Sequence, residues 1–224
     1  AARRDNRVAR RSSSRDGRAA FDRLASALED VSTPTVRRKL TISTFSSLNA
    51  RWLMPRLRAF SMLFPDVDLQ VVTTAQLVDF AREDVDIALR FGGGNYPGLH
   101  TVPLFRPREI VVCSPNVLKG GPPLKNITDL RHFTLLHDDS YRSWTRWLDA
   151  VGAKGINPRR GIICGDRNSM LQAALEGQGV GLASEVFAAS ELVARRLVKV
   201  FETEVTSEYA IYAVCPVLDR KSVV

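Results

Sequence analysis

The apolar positions along this chain keep two periods in turn. Lys39 to Thr44 alternates in the two-residue rhythm of a strand and is rich in β-branched residues. Ser46 or Ser47 then offers an N-cap, and apolar spacing predicts a helix running to about Leu63. Pro55 falls inside that helix, in its first turns, where a missing N–H costs least. Phe64-Pro65-Asp66 ends it. The same reading predicts strands over 68–73, 85–90, 99–105 and 109–113, with a short helix over 76–82. Ser114-Pro115 opens a second region with strands over 134–137, 161–164, 180–183, 197–201 and 209–215. Its helices are a short one at 127–131, a Trp-bearing one at 143–151, one at 169–176, and one from Glu185 that Ser184 is placed to cap. Upstream, Ala20, Phe21, Leu24, Ala27, Leu28 and Val31 recur at three and four residues. They mark an amphipathic helix over 16–33 that stops at Pro34.

Alternating strands and helices imply a largely parallel, right-handed α/β arrangement. It divides into two lobes, 38–107 with 209–224 and 108–208. The most informative unit is Ser169 to Ala183. There a polar helix start leads into two apolar turns, a glycine stop at Gly177 or Gly179, and a short apolar strand. A helix start carries unpaired N–H groups at the positive end of the dipole and so suits an anion. A second such start lies at Thr44 to Ser47. Here Asn168 is a candidate cap, which leaves the Ser169 hydroxyl for a ligand.

Composition narrows the picture. At 224 residues and 45% hydrophobic the chain has room for proper cores, and no apolar run approaches the ~20 residues that span a bilayer. The N-terminal residues carry charge without an apolar stretch behind them, so they do not form an export signal. Cys113, Cys164 and Cys215 are widely spaced and odd in number, the usage of buried thiols in a reducing cytoplasm. The net charge of +8 is concentrated: residues 1–18 hold seven arginines against two aspartates. Residues 1–15 lack any hydrophobic period and are expected to form a disordered basic arm.

Most catalytic chemistries find no pattern here. His100, His132 and His137 have no metal-ligand spacing with one another or with the cysteines. There is no G-x-S-x-G elbow, and Gly92-Gly-Gly94 lacks the rest of a phosphate loop. Trp144 and Trp147, three apart on a helix, suit a core or a subunit contact better than a base-stacking platform. We therefore expect no enzyme, no metal and no cofactor.

From Leu40 onward the chain resembles the effector-binding region of LysR-type transcriptional regulators, in the branch of the glycine-cleavage activator and the β-lactamase regulator. The segments that carry the resemblance are Leu-Thr-Ile-Ser-Thr-Phe at 40–45, Arg-Trp-Leu-Met-Pro-Arg-Leu at 51–57, and Phe-Pro-Asp-Val-Asp-Leu at 64–69. They continue with Asp-Val-Asp-Ile-Ala-Leu-Arg-Phe-Gly at 84–92, Tyr-Pro-Gly-Leu at 96–99, Val-Cys-Ser-Pro at 112–115, the stretch at 169–182, and Tyr-Ala-Val-Cys-Pro at 212–216. The resemblance implies two Rossmann-like α/β lobes joined by two crossover strands, the type II periplasmic-binding-protein plan, preceded by a linker helix. It implies a small-molecule effector, expected to be anionic, between the lobes, and a homodimer or homotetramer. DNA would be reached only through an N-terminal helix-turn-helix that this chain does not include, and the family's last helix is also expected to be missing from it.

On that resemblance the candidate ligand contacts are Thr44, Phe45, Ser46, Arg90, Ser169 and Tyr212. Thr44 to Ser46 form the strand-to-helix turn of the first lobe. Arg90 ends a strand and can pair with an anion. Tyr209 and Tyr212, three apart on a strand, face opposite ways, and the match at Cys215-Pro216 favours Tyr212. The expected function is ligand sensing for a transcription regulator in the cytoplasm. The competing reading is a transport receptor for a small carboxylate or amino acid, which shares the two-lobe plan.

Overall fold

The computed structural model describes residues 38–217. The basic arm, the helix expected over 16–33 and the last residues of the chain lie outside the described residues. The chain divides into two compact units. The first holds the residues up to Arg106 and from Glu208 onward; the second is Pro107–Ser207.

The first unit opens with β1 (Arg38–Thr44) and α1 (Ser46–Leu48). The helical path then loosens into a π turn (Asn49–Leu53), tightens into a 3-10 turn (Met54–Arg56), and regains α geometry as α2 (Leu57–Leu63). Pro55 supplies the cause, since it has no N–H for the carbonyl four residues back. The backbone instead bonds Met54 N–H to Asn49 O across the π turn. The proline thus lies beyond the first turns, and the helix accommodates it by changing pitch. The unit continues with β2 (Val67–Thr73), β3 (Ile87–Gly92) and β4 (Leu99–Phe105). Residues 76–82, expected as a helix, form turns. The Asp79 carboxylate accepts from Ala81 N–H, and the Asp79 carbonyl accepts from Arg82 and Glu83.

The second unit comprises β5 (Arg108–Cys113), α3 (Pro115–Gly120), a 3-10 helix (Ile127–His132), β6 (Leu135–His137) and α4 (Arg142–Ala150). It ends with β7 (Gly161–Ile163), α5 (Arg167–Leu175), β8 (Val180–Ser184), α6 (Glu185–Val193), β9 (Val198–Lys199) and β10 (Val205–Thr206). The sequence pattern missed α3, although Ser114 caps it and Pro115 sits at its first position. Ser184 does occupy the cap position of α6, but its hydroxyl makes no cap bond. The chain then returns to the first unit as β11 (Ala210–Pro216).

The sheets are mixed rather than largely parallel. In the first unit the order is β2-β1-β3-β11-β4, with β1 parallel to β2 and β3, and β11 antiparallel to β3 and β4. In the second, β10-β5-β8-β6-β7, strand β6 is parallel to β7 and β8, while β5 runs against β8, β9 and β10. The strands that run against the rest, β5 and β11, are those on which the chain enters each unit, so no helical crossover dictates their direction.

Each unit has its own core. Ile42, Leu48, Trp52, Leu53, Ile87 and Leu89 are buried in the first. In the second, Trp144 and Trp147 are fully buried and meet edge to face at 5.9 Å, which settles both as core residues. All three cysteines are free. Burial pushes the Cys113 thiol up to about 11, so it is an inert packing residue. Among the described residues no helix is long and apolar enough to cross a membrane, and no group of His, Cys, Asp and Glu is placed to hold a metal.

Candidate functional site

In a parallel α/β sheet, side chains at the carboxyl ends of the strands are left exposed to whatever binds there, because the chain turns away into a helix. In the first unit β1 ends at Thr44 and β3 at Gly92. Strand β11 runs the opposite way, so its first residues lie beside the last residues of β3, and Tyr212 pairs with Arg90. Cross-strand partners share a face. Ser43, in register with Ala88 two residues before Arg90, shares that face too. The Arg90 guanidinium donates to Ser43 Oγ at 2.7 Å, to the Gln76 carbonyl at 3.0 Å and to its own neighbour's carbonyl, Leu89 O, at 3.0 Å.

This arginine is 6% exposed, and no carboxylate lies within ion-pair distance of it among the described residues. Its three acceptors are neutral, and its Nε–H is buried with no acceptor. Burial lowers its pKa, against weaker support from Tyr96 and Glu83. A buried cation with no ion-pair partner is expensive, so a site of this kind favours an anion.

Two tyrosines border it. Tyr96 and Tyr212 meet edge to face at 6.2 Å, both half-buried, and neither hydroxyl bonds to a described residue. The glycine loop folds against them. Gly94 has φ +85°, and a Cβ there would lie 2.7 Å from the Tyr212 hydroxyl. Only glycine allows both this backbone and this approach. Gly92 to Gly94 is therefore a packing surface for tyrosine.

Thr44 is fully buried, and its Oγ1 has no partner. By strand alternation it points away from the Ser43–Arg90 face, so Thr44 and Arg90 share an edge of the sheet and not a face. Phe45, half-buried, takes the N-cap position of α1 with extended dihedrals and no side-chain cap bond. Ser46 is the exposed first residue of the helix, so neither Ser46 nor Ser47 is the cap.

The second unit treats its helix start differently. Asp166, not Asn168, caps α5, accepting from Asn168 N–H at 2.7 Å and Ser169 N–H at 3.1 Å. The Ser169 hydroxyl donates to the same carboxylate at 2.7 Å, and this bond, with the two from the backbone, lowers the Asp166 pKa. The positive helix end thus already holds an anion, and the Ser169 proton is committed. Arg167 reaches Asp138 at 2.7 Å and Glu109 at 3.8 Å. Glu109, 3% exposed on β5, also takes Arg146 through both oxygens at 3.0 Å. Paired charges therefore fix this helix start.

Of the residues read from sequence, Arg90 and Tyr212 lie side by side, Thr44, Phe45 and Ser46 lie along the same edge, and Ser169 belongs to the other unit. Tyr209 packs its ring on Phe91 at 5.6 Å. The sequence reading missed Ser43, Tyr96 and Asp166. Only the last left a local signal, an aspartate three residues before the serine.

The family model for the LysR substrate binding domain matches residues 34–222. The glycine cleavage system transcriptional activator of Escherichia coli K12 is 38% identical over 195 residues, covering 87% of this chain and 64% of that protein. The chain therefore spans just under two thirds of the length of this curated relative. The crystal structure of the effector domain of the regulator AmpR from Pseudomonas aeruginosa is similar, with a TM-score of 0.69 and 32% identity, covering 80% of this chain and 85% of that one. An effector-binding domain from Citrobacter freundii has a TM-score of 0.69 at 26% identity, covering 80% and 88%. That domain carries three substitutions, in chain order a threonine to valine, a serine to alanine and a tyrosine to phenylalanine.

Proposed function

Because the chain belongs to the LysR family by its substrate-binding domain, we propose that it senses a small carboxylate for a transcription regulator. In this reading the carboxyl edge of the first unit receives the acidic group. Arg90 supplies the charge, Tyr212 and Tyr96 donate hydroxyl protons, and Thr44 offers its unpaired hydroxyl beside the start of α1. Phe45 and Ser46 border the ligand. Ser169, carried over from the sequence reading as a further contact, keeps only its oxygen free to accept, since Asp166 holds its proton. The observation that carries the reading is the buried, uncompensated Arg90. The Citrobacter freundii variant supports it, because Thr44, Ser169 and Tyr212 follow the same order of residue types. Its serine and tyrosine are as far apart as Ser169 and Tyr212, whereas its threonine and serine lie seven residues closer than Thr44 and Ser169.

Occupancy shifts the protein between two states only as far as the ligand prefers one of them. We assign the readout to a DNA-binding region of the protein to which this chain belongs, in a cytoplasmic homodimer or homotetramer. The transport-receptor reading is disfavoured, because the relatives matched are transcriptional activators. A thermal-shift screen against small carboxylates tests the proposal. A stabilising compound is expected to lose most of its effect on Thr44→Val and to weaken on Ser169→Ala. A compound that stabilises both variants as well as the parent rules the site out.

A further inference from the structure

A concavity in the second unit shares no residue with that site. It is an open depression of about 810 Å³. Three segments wall it: residues 125–128 at the start of the 3-10 helix, 151–154 after α4, and 200–203 after β9. Its floor is apolar. Ile127, Val151 and Val200 pack, with Phe201, on the core cluster that contains Trp147.

The polar groups are unequally satisfied. Glu202, the one acid among the lining residues, faces Lys199 Nζ at 3.5 Å. Asp129, just beyond the lining, accepts from the backbone N–H groups of Lys125 and Asn126 at 3.0 and 2.9 Å. The side chains of Lys125 and Lys154, by contrast, have no ion-pair or hydrogen-bond partner among the described residues. An apolar floor flanked by two exposed ammonium groups with no protein partner matches a molecule with an apolar body and one negative head. A neutral amphiphile would leave the lysines unused. A polyanion would have to give up water at an apolar floor.

We infer that the second unit carries a separate binding site for an amphiphilic monocarboxylate. Its body rests on Ile127, Val151, Val200 and Phe201, and its carboxylate meets Lys125 and Lys154. The test is an amide-resolved NMR titration of the whole chain with 4-phenylbutyrate and with 4-phenylbutanol, which share a body and differ in the head. The expected shifts fall on residues 125–128, 151–154 and 200–203, with the carboxylate binding about tenfold tighter than the alcohol. Lys125→Glu/Lys154→Glu, at exposed positions, is expected to abolish that preference without lowering Tm, and Thr44→Val to leave it intact. Equal binding of acid and alcohol overturns the inference. So do shifts confined to the surroundings of Arg90 and Tyr212, or a preference that survives the double charge reversal.

Discussion

The two units present opposite solutions at comparable places. At the start of α5, Asp166 serves the helix N–H groups and the Ser169 hydroxyl, while Asp138, Arg167, Glu109 and Arg146 neutralise one another. At the carboxyl edge of the first sheet, Thr44 Oγ1 and Arg90 Nε are buried without partners, and α1 begins without a side-chain cap. A satisfied group needs no ligand to explain it. An unsatisfied buried one costs free energy until something meets it, and where such groups gather at the carboxyl edge of a sheet they mark a place to test for a ligand.

That contrast orders the effects of substitution. Glu109→Ala should be the most damaging, because it strands Arg146 and Arg167. We expect about 2 kcal/mol of lost stability by denaturant unfolding, less than for a fully buried pair since both arginines reach solvent. Gly94→Ala forces a left-handed backbone on a residue with a Cβ and drives it into Tyr212. Its expected cost is about 1–2 kcal/mol, with loss of the carboxylate-induced thermal shift. Asp166→Ala removes a cap, worth about 1 kcal/mol. Its carboxylate has a lowered pKa in the folded state, so the cap's contribution is complete above the ordinary carboxylate range. It fades as pH falls through the folded value. An acid unfolding curve should therefore differ between parent and variant at neutral pH and converge at strongly acidic pH. Thr44→Val should leave Tm unchanged or slightly raised, since it removes a buried hydroxyl that has no partner.

Much of this architecture is readable in local pattern. Leu99–Phe105, expected as a strand, is one over that same span. Gly177, φ +74°, stops α5 where the sequence places a glycine stop. The sequence failed where remote parts decide the outcome. Mixed strand direction in both sheets follows from which strand the chain enters on, which no local period encodes. Tyr96 and Ser43 join Arg90 only because β1, β3 and β11 align in register. The turns at 76–82 arise from Asp79 competing for backbone N–H groups that a helix would have used. Asp166 was visible, but its role was assigned to Asn168, two residues on.

Arg90 either waits for an anion or simply completes the fold, and Arg90→Met separates the two. Ligand-free Tm and the shift produced by a carboxylate that stabilises the parent are measured on both proteins. If Arg90 waits for an anion, an apolar side chain of similar length abolishes the carboxylate shift, while the ligand-free Tm falls by no more than the loss of three hydrogen bonds to neutral acceptors costs. A variant that melts several degrees lower yet retains the full shift contradicts the account, for Arg90 would then be structural and the acidic group bound elsewhere.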